Sequence, residues 1–269
     1  MLSQALQGFS DLATGAILYI GVHRSKKDAD DRYQFGYGRE VFFWVLLAGI
    51  SMFIGTGGLS VYLGYQQIVQ PSGVSSVWLA LSMLLFGFLT NGYAFRLSLQ
   101  RLRQVDKKAS WWKQLLQSSI VETKATLLID FLGTTAAFVG LIALSAFALT
   151  GNARLDGIGS VAIGLIMMSG AILLIRDVRD LIVGRSVEPE VAQKIIKATL
   201  SVRDIQSVLD LRTMYLGSAR LLVIVEVHVK DGLHTDQIEQ IIDTIKETVH
   251  RRVPLVHHIQ VEVETPDEQ

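Results

Sequence analysis

The longest stretch of the chain without Asp, Glu, Lys, Arg or His runs from Val41 to Phe95. A helix needs about 20 mostly apolar residues to cross a bilayer, so this stretch alone is long enough for two crossings. Two further stretches, 131–153 and 157–175, also lack these residue types. The alternative is a set of buried helices in a large soluble protein, but uncharged runs of this length are typical of membrane spans. The pattern therefore predicts an integral membrane protein embedded in a lipid bilayer.

Five membrane-spanning helices are predicted, over residues 3–22, 40–67, 77–99, 119–149 and 155–183. Lys and Arg crowd the first and third connections and the segment after the last span, whereas the second and fourth connections share a single Arg. The positive-inside rule then places the first and third connections and the C-terminus in the cytoplasm. Because five spans put the N-terminus outside, we expect that a span upstream of Met1 is missing from this chain.

After Glu188 the composition becomes that of a soluble domain. Helical spacing of apolar residues covers 189–201 and 235–249, with Thr235 as the expected N-cap, and strand alternation covers 205–214, 221–229 and 259–263. The order α-β-β-α-β fits a small α+β domain with its helices on one face of the sheet. We therefore predict an all-α transmembrane helical bundle over residues 1–185 and a cytoplasmic α+β domain over residues 186–269.

Two carboxylates lie inside predicted spans, where an ionisable group is costly and usually marks a pathway. They are Asp11 in the first span and Asp130 in the fourth, and each has a polar residue four positions earlier, Gln7 and Thr126. The two spans run in opposite directions, and a rise of 1.5 Å per residue brings both carboxylates near the midplane. Two such faces can close four oxygen ligands around one cation. The alternative is two separately hydrogen-bonded structural acids.

Other residues in the spans have two interpretations that the sequence leaves open. Glu122 lies one helical turn before Thr126, where it either lines a pathway or forms, with Lys124, a charge pair with the Arg-rich connections. Small residues permit close helix contact either within the bundle or in a dimer. They are Gly55, Gly58 and Gly64 in the second span and Gly157, Gly159, Gly164 and Gly170 in the fifth.

One face of the predicted sheet is polar, by strand alternation. It carries Glu226, His228, His258, Gln260, Glu262 and Glu264. This face either binds a regulatory metal ion weakly or is an exposed surface of mixed charge.

Composition excludes several classes of protein. A net charge of zero gives no support for a nucleic-acid partner, and the absence of cysteine removes thiolate metal sites. The spans contain no Ser/Lys dyad, no paired catalytic Asp motif and no His-Glu-x-x-His, so we expect no enzyme activity and no cofactor beyond a bound divalent metal ion.

The chain resembles the cation diffusion facilitator family over essentially its whole length, and four segments carry the resemblance. They are Gln7-Gly-Phe-Ser-Asp11, Asp30-Asp31-Arg-Tyr-Gln-Phe-Gly-Tyr-Gly-Arg39, Thr126-Leu-Leu-Ile-Asp130 and Gly184-Arg-Ser-Val-Glu-Pro-Glu190. In that family they belong to the second helix, a cytoplasmic loop, the fifth helix and the start of a metallochaperone-like C-terminal domain. The family has six spans, so the five spans here would be its helices two to six. The segments from 121 to 151 and from 184 to 190 look most like the divergent zinc transporter nine branch.

The resemblance implies that Asp11 and Asp130 bind the transported metal, with Gln7 and Thr126 in the other two ligand positions. Typical members have His or Asp at those two positions, and in the loop Tyr33 and Tyr37 replace common histidines. Zinc favours nitrogen or carboxylate ligands, whereas an all-oxygen site also suits manganese or iron(II).

The resemblance implies a secondary transporter, a homodimer that exports a divalent cation, with zinc as the first candidate, from the cytoplasm in exchange for protons. A bacterial inner membrane is the expected location. The alternative is a non-transporting membrane scaffold or metal sensor descended from such a transporter.

Overall fold

The computed structural model describes residues 2–71, 76–105 and 121–266, and their side chains over 12–71, 76–100 and 124–266. The N-terminal two-thirds is helical. Its elements are α1 (Leu2–Ser25), α2 (Glu40–Ser51), a π-helical segment (Met52–Gly58), α3 (Leu59–Val69), α4 (Val77–Val105), α5 (Val121–Thr150) and α6 (Arg154–Val183).

Four helical stretches within the described residues are long and apolar enough to cross a membrane: Glu40–Val69, Val77–Gln100, Lys124–Thr150 and Arg154–Val183. They match the second to fifth predicted spans. The first predicted span coincides with α1, whose side chains up to residue 11 lie outside the described part of the chain. The predicted helical membrane domain is thereby confirmed, with four to five apolar helices.

Glycines let α6 pack antiparallel against the helix formed by α2, the π segment and α3. A Cβ added to Gly64 would lie 2.7 Å from the carbonyl oxygen of Gly157, and one added to Gly164 would lie 2.7 Å from the carbonyl oxygen of Gly57. At these two points the backbones themselves are in contact. Gly64, Gly157 and Gly164 therefore serve close packing inside the bundle, one of the two interpretations that the sequence left open.

The C-terminal domain has the predicted order α-β-β-α-β. It comprises α7 (Pro189–Leu200), β1 (Ile205–Gly217), β2 (Arg220–Val229), α8 (Thr235–Arg252) and β3 (Val256–Val263). In the sheet β2 is central, antiparallel to β1 and parallel to β3. Alternate residues of β2 are buried, as a sheet covered on one face requires.

The N-terminus of α8 differs from the prediction. Thr235 is the first helical residue, and His234 is the N-cap, exchanging hydrogen bonds with Gln237 in a capping box. The predicted N-cap was wrong by one residue, because the backbone of Thr235 is already helical whereas that of His234 is extended.

Contacts between Cα atoms divide the chain into two units, and the first connection belongs to the unit of the C-terminal domain. That unit comprises 25–39 and 180–269, and the other comprises 1–24 and 40–179. A Cβ on Gly38 would lie 2.6 Å from the carbonyl oxygen of Leu216, so this connection contacts the β1–β2 hairpin backbone directly. No local sequence pattern indicated this contact, and the domain boundary at residue 185 stays a prediction.

Candidate functional site

Asp130 lies on α5, where it faces α4. The two helices are antiparallel neighbours, with the rings of Phe95 and Phe131 at a centroid distance of 5.6 Å. The hydroxyl of Ser98 on α4 donates a hydrogen bond of 2.6 Å to Oδ2 of Asp130. This bond orients the carboxylate in a helix that is otherwise apolar at this depth. Sequence reasoning missed Ser98, because serine is common in membrane helices and nothing in its spacing distinguishes it.

A cavity of about 440 Å³ opens beside Asp130, between α1, α4 and α5. Thr126 and Asp130 both line it, so the structure brings together the two predicted ligands of α5. The side chains of Asp11 and Gln7 lie outside the described part of the chain, and their role stays a prediction. Thr14, one turn after Asp11 on α1, is part of the cavity wall.

Two further polar residues in the cavity wall were missed by sequence reasoning. Thr14 is only 2% exposed, and its hydroxyl has no hydrogen-bond partner within the described part of the chain. Asn91 on α4 lies against Gly133, where an added Cβ would be 3.2 Å from the carboxamide carbon of Asn91. Both types of side chain offer a neutral oxygen.

An ion pair joins α5 to α6. The ammonium of Lys124 lies 2.8 Å from Oδ2 of Asp177, and the two side chains are only 13% and 23% exposed. Lys124 thus pairs with a carboxylate of the neighbouring helix, and the predicted charge pair of Glu122 and Lys124 with the Arg-rich connections stays a prediction. The side chain of Glu122 is outside the description, so its pathway role stays a prediction.

The polar face of the sheet has its own pairings. Glu226 lies 3.7 Å from the guanidinium of Arg212, and His228 contacts the main-chain oxygen of Glu264 at 3.2 Å. Burial, with Asp210 and Glu264 nearby, raises the pKa of Glu226.

Over the described residues no group of three or more His, Asp or Glu side chains is arranged to hold a metal ion. The ring of His258 meets Phe35 edge-on at 5.5 Å, and Glu262 accepts a hydrogen bond from Gln260. Weak regulatory metal binding on this face stays a prediction.

The connection before α2 is organised around Asp30. Oδ2 of Asp30 accepts hydrogen bonds from the hydroxyl of Tyr37 at 2.7 Å and the ammonium of Lys27 at 3.2 Å, while Oδ1 accepts from the main-chain amides of Arg32 and Tyr33. The Tyr37 bond, reinforced by the others, lowers the pKa of Asp30 to about 2. Lys27, a residue of the same connection, thus forms an exposed ion pair with this carboxylate.

Replacing Tyr37 by Phe is expected to raise the pKa of Asp30 toward its ordinary value of 3.8, because the strongest hydrogen bond to the ionised form is lost. A depressed carboxyl pKa stabilises the folded connection above pH 4, and this stabilisation is lost as the pH falls through the folded pKa. As the pH falls, Tyr37→Phe should therefore lose this stabilisation at a higher pH than the unsubstituted protein does. Carbon NMR of labelled aspartate in the full chain measures the midpoint.

Tyr33→Phe is the matched control, because Tyr33 contributes a main-chain amide that this substitution keeps. An Asp30 midpoint unchanged in Tyr37→Phe would contradict the assigned network.

Two family models match the chain. The cation efflux transmembrane domain matches residues 1–183, and the cation efflux protein cytoplasmic domain matches residues 187–266. Among solved structures, a nickel form of the MamM CTD is similar at 19% identity and a TM-score of 0.28, covering 30% of this chain and 100% of that one.

Curated relatives are similar at low identity. They include the human proton-coupled zinc antiporter SLC30A9, mitochondrial (Homo sapiens; 23% identity, 84% of this chain, 40% of the relative) and metal tolerance protein C4 of Arabidopsis thaliana (22%, 81% and 48%). Magnetosome protein MamB of Magnetospira sp. is 23% identical over 98% of this chain and 84% of its own length. The chain thus spans less than half the length of the first two. Because the two family models together match nearly all of its residues, the chain belongs to the cation efflux family.

Proposed function

We propose that this protein is a secondary transporter that exports a divalent metal cation from the cytoplasm in exchange for protons, with zinc as the favoured cargo. The observation that carries the proposal is the carboxylate of Asp130, which opens with Thr126 into a cavity between apolar helices. A charged group in a span is costly, and a cavity beside it gives a cation access to it. Membership of the cation efflux family and similarity to a named zinc antiporter support the same function.

The chemistry of the cavity suits coupling to protons. A carboxylate binds a divalent cation only when it is deprotonated, so metal ions and protons compete for the same oxygens. Asp130 and Thr126 would bind the cargo from α5, and we propose Asp11 and Gln7 as the ligands from α1. The hydroxyl of Ser98 would hold Asp130 in one orientation as the cargo arrives and leaves. Manganese or iron(II) remains an alternative cargo, because all of these ligands are oxygens.

The remaining elements of the proposal concern location and assembly. The Lys and Arg distribution favours a cytoplasmic C-terminal domain, and we propose the inner membrane of a bacterium as the location. We propose a homodimer, supported by the match of residues 187–266 to the cytoplasmic domain of cation efflux proteins.

Purified protein in proteoliposomes is expected to take up zinc, and more weakly manganese or iron(II), when a pH gradient is imposed. Uptake should collapse when the gradient is dissipated, because protons supply the driving force. Calorimetry in buffers of different ionisation enthalpy should show proton release on metal binding between pH 6 and 8.

A protein that binds metal ions without releasing protons, and that moves no metal ions across the membrane, would instead be a scaffold or sensor. That second function is favoured by Thr126, which stands where typical relatives have a stronger ligand.

A further inference from the structure

Helix α4 presents a polar face to α5, beside the cargo cavity. Asn91 and Ser98 are seven residues apart, two helical turns, and therefore lie on the same face of α4. Ser98 bonds to Asp130, and Asn91 lies beside Gly133, one turn further along α5. Both contacts are made with α5, so this face of α4 packs against the helix that carries Asp130, and Asn91 lies where the face reaches the cavity.

Gly133 is what lets Asn91 come so close to α5. An added Cβ at this position would lie 3.3 Å from the carboxamide oxygen and 3.4 Å from its nitrogen. Any larger side chain would compete with Asn91 for the same space. The carboxamide thus lies beside Gly133, one helical turn along α5 from Asp130, and both Asn91 and Asp130 line the same cavity.

Thr14 on α1 gives a second, independent indication of a ligand. Its hydroxyl is almost fully buried in the cavity wall and has no hydrogen-bond partner in the described part of the chain. A buried hydroxyl without a partner is energetically unfavourable, and a bound cation would supply the missing partner. Neutral oxygens of Thr14 and Asn91 can bind a cation without exchanging protons, because the carboxylates perform that exchange.

We propose that Asn91 is a ligand of the transported cation and sets its selectivity, with Thr14 as a further oxygen donor from α1. The inference rests on the proposed function and adds a third helix to the cargo site. A site of carboxylate, carboxamide and hydroxyl oxygens accepts hard divalent cations such as manganese and lacks the nitrogen that strengthens zinc binding. The competing interpretation is that Asn91 only holds α4 and α5 together by hydrogen bonding.

The test compares zinc and manganese binding and uptake in proteoliposomes for Asn91→His and Asn91→Leu. Asn91→His should raise the ratio of zinc to manganese affinity by at least about tenfold, because it adds a nitrogen ligand. Asn91→Leu should weaken the binding of both cations by about tenfold or more. Thr90→Val is the matched control, because the hydroxyl of Thr90 bonds to its own helix at Phe86 and Gly87.

The outcomes separate the two interpretations. If Asn91→Leu binds both cations as the unsubstituted protein does and Asn91→His keeps the same zinc to manganese ratio, Asn91 is not a ligand. If Asn91→Leu fails to fold, the ratio measured for Asn91→His decides alone, since a purely structural role would not change it. Asp130→Asn is run in parallel. Normal uptake by Asp130→Asn would overturn the proposed function. If Asp130→Asn is inactive while both Asn91 variants bind zinc and manganese as the unsubstituted protein does, only this inference is overturned.

Discussion

Asp130→Asn is expected to abolish metal uptake while leaving the helical bundle folded. The amide keeps the shape of the side chain and can still accept a hydrogen bond from Ser98, so packing between α4 and α5 is preserved. It removes the negative charge that a divalent cation needs in an apolar cavity, and it removes the group that exchanges metal for protons. We expect uptake in proteoliposomes to fall to the level of empty vesicles, with an unchanged elution profile of the purified protein.

Asp156→Asn is the matched control, since this carboxylate lies in the first turn of α6 and outside the cavity wall. It should retain most of the uptake. Full uptake by Asp130→Asn would show that the cation does not bind at this carboxylate, and the assigned site would be wrong.

Gly64→Ala is expected to destabilise the bundle strongly. The added Cβ would lie 2.7 Å from both the carbonyl oxygen of Gly157 and the amide nitrogen of Val161. These are backbone atoms, which cannot rotate away as a side chain can, so α3 and α6 would have to separate. Overpacking of this kind costs about 1–3 kcal/mol. A clear fall in the melting temperature of the detergent-purified protein is the expected result.

Gly87→Ala on α4 is the control, because an added Cβ there meets nothing within 4 Å. It should leave the melting temperature unchanged or slightly higher, since alanine is the better helix former. Equal melting temperatures for the Gly64 and Gly87 variants would mean that α3 and α6 do not approach as closely as the structure shows.

Much of the architecture was determined by the sequence itself. Long uncharged segments can satisfy their backbone in lipid only as helices, so the positions of the spans follow from composition. Strand alternation and helical spacing similarly determined the order of elements after Glu188. In the candidate site, the spacing of Thr126 and Asp130 by one helical turn was enough to predict that they share a face, and both line the cavity.

Only the tertiary structure decided which faces meet. Periodicity identifies the residues that share a helix face but not the neighbouring helix that covers it. The contacts of Ser98 with Asp130 and of Asn91 with Gly133 could therefore not be predicted. The same holds for the pairing of Lys124 with Asp177 and for the contact of Gly38 with the β1–β2 hairpin. Each joins residues distant in sequence, and such contacts depend on how the helices and the sheet pack, which local patterns do not encode.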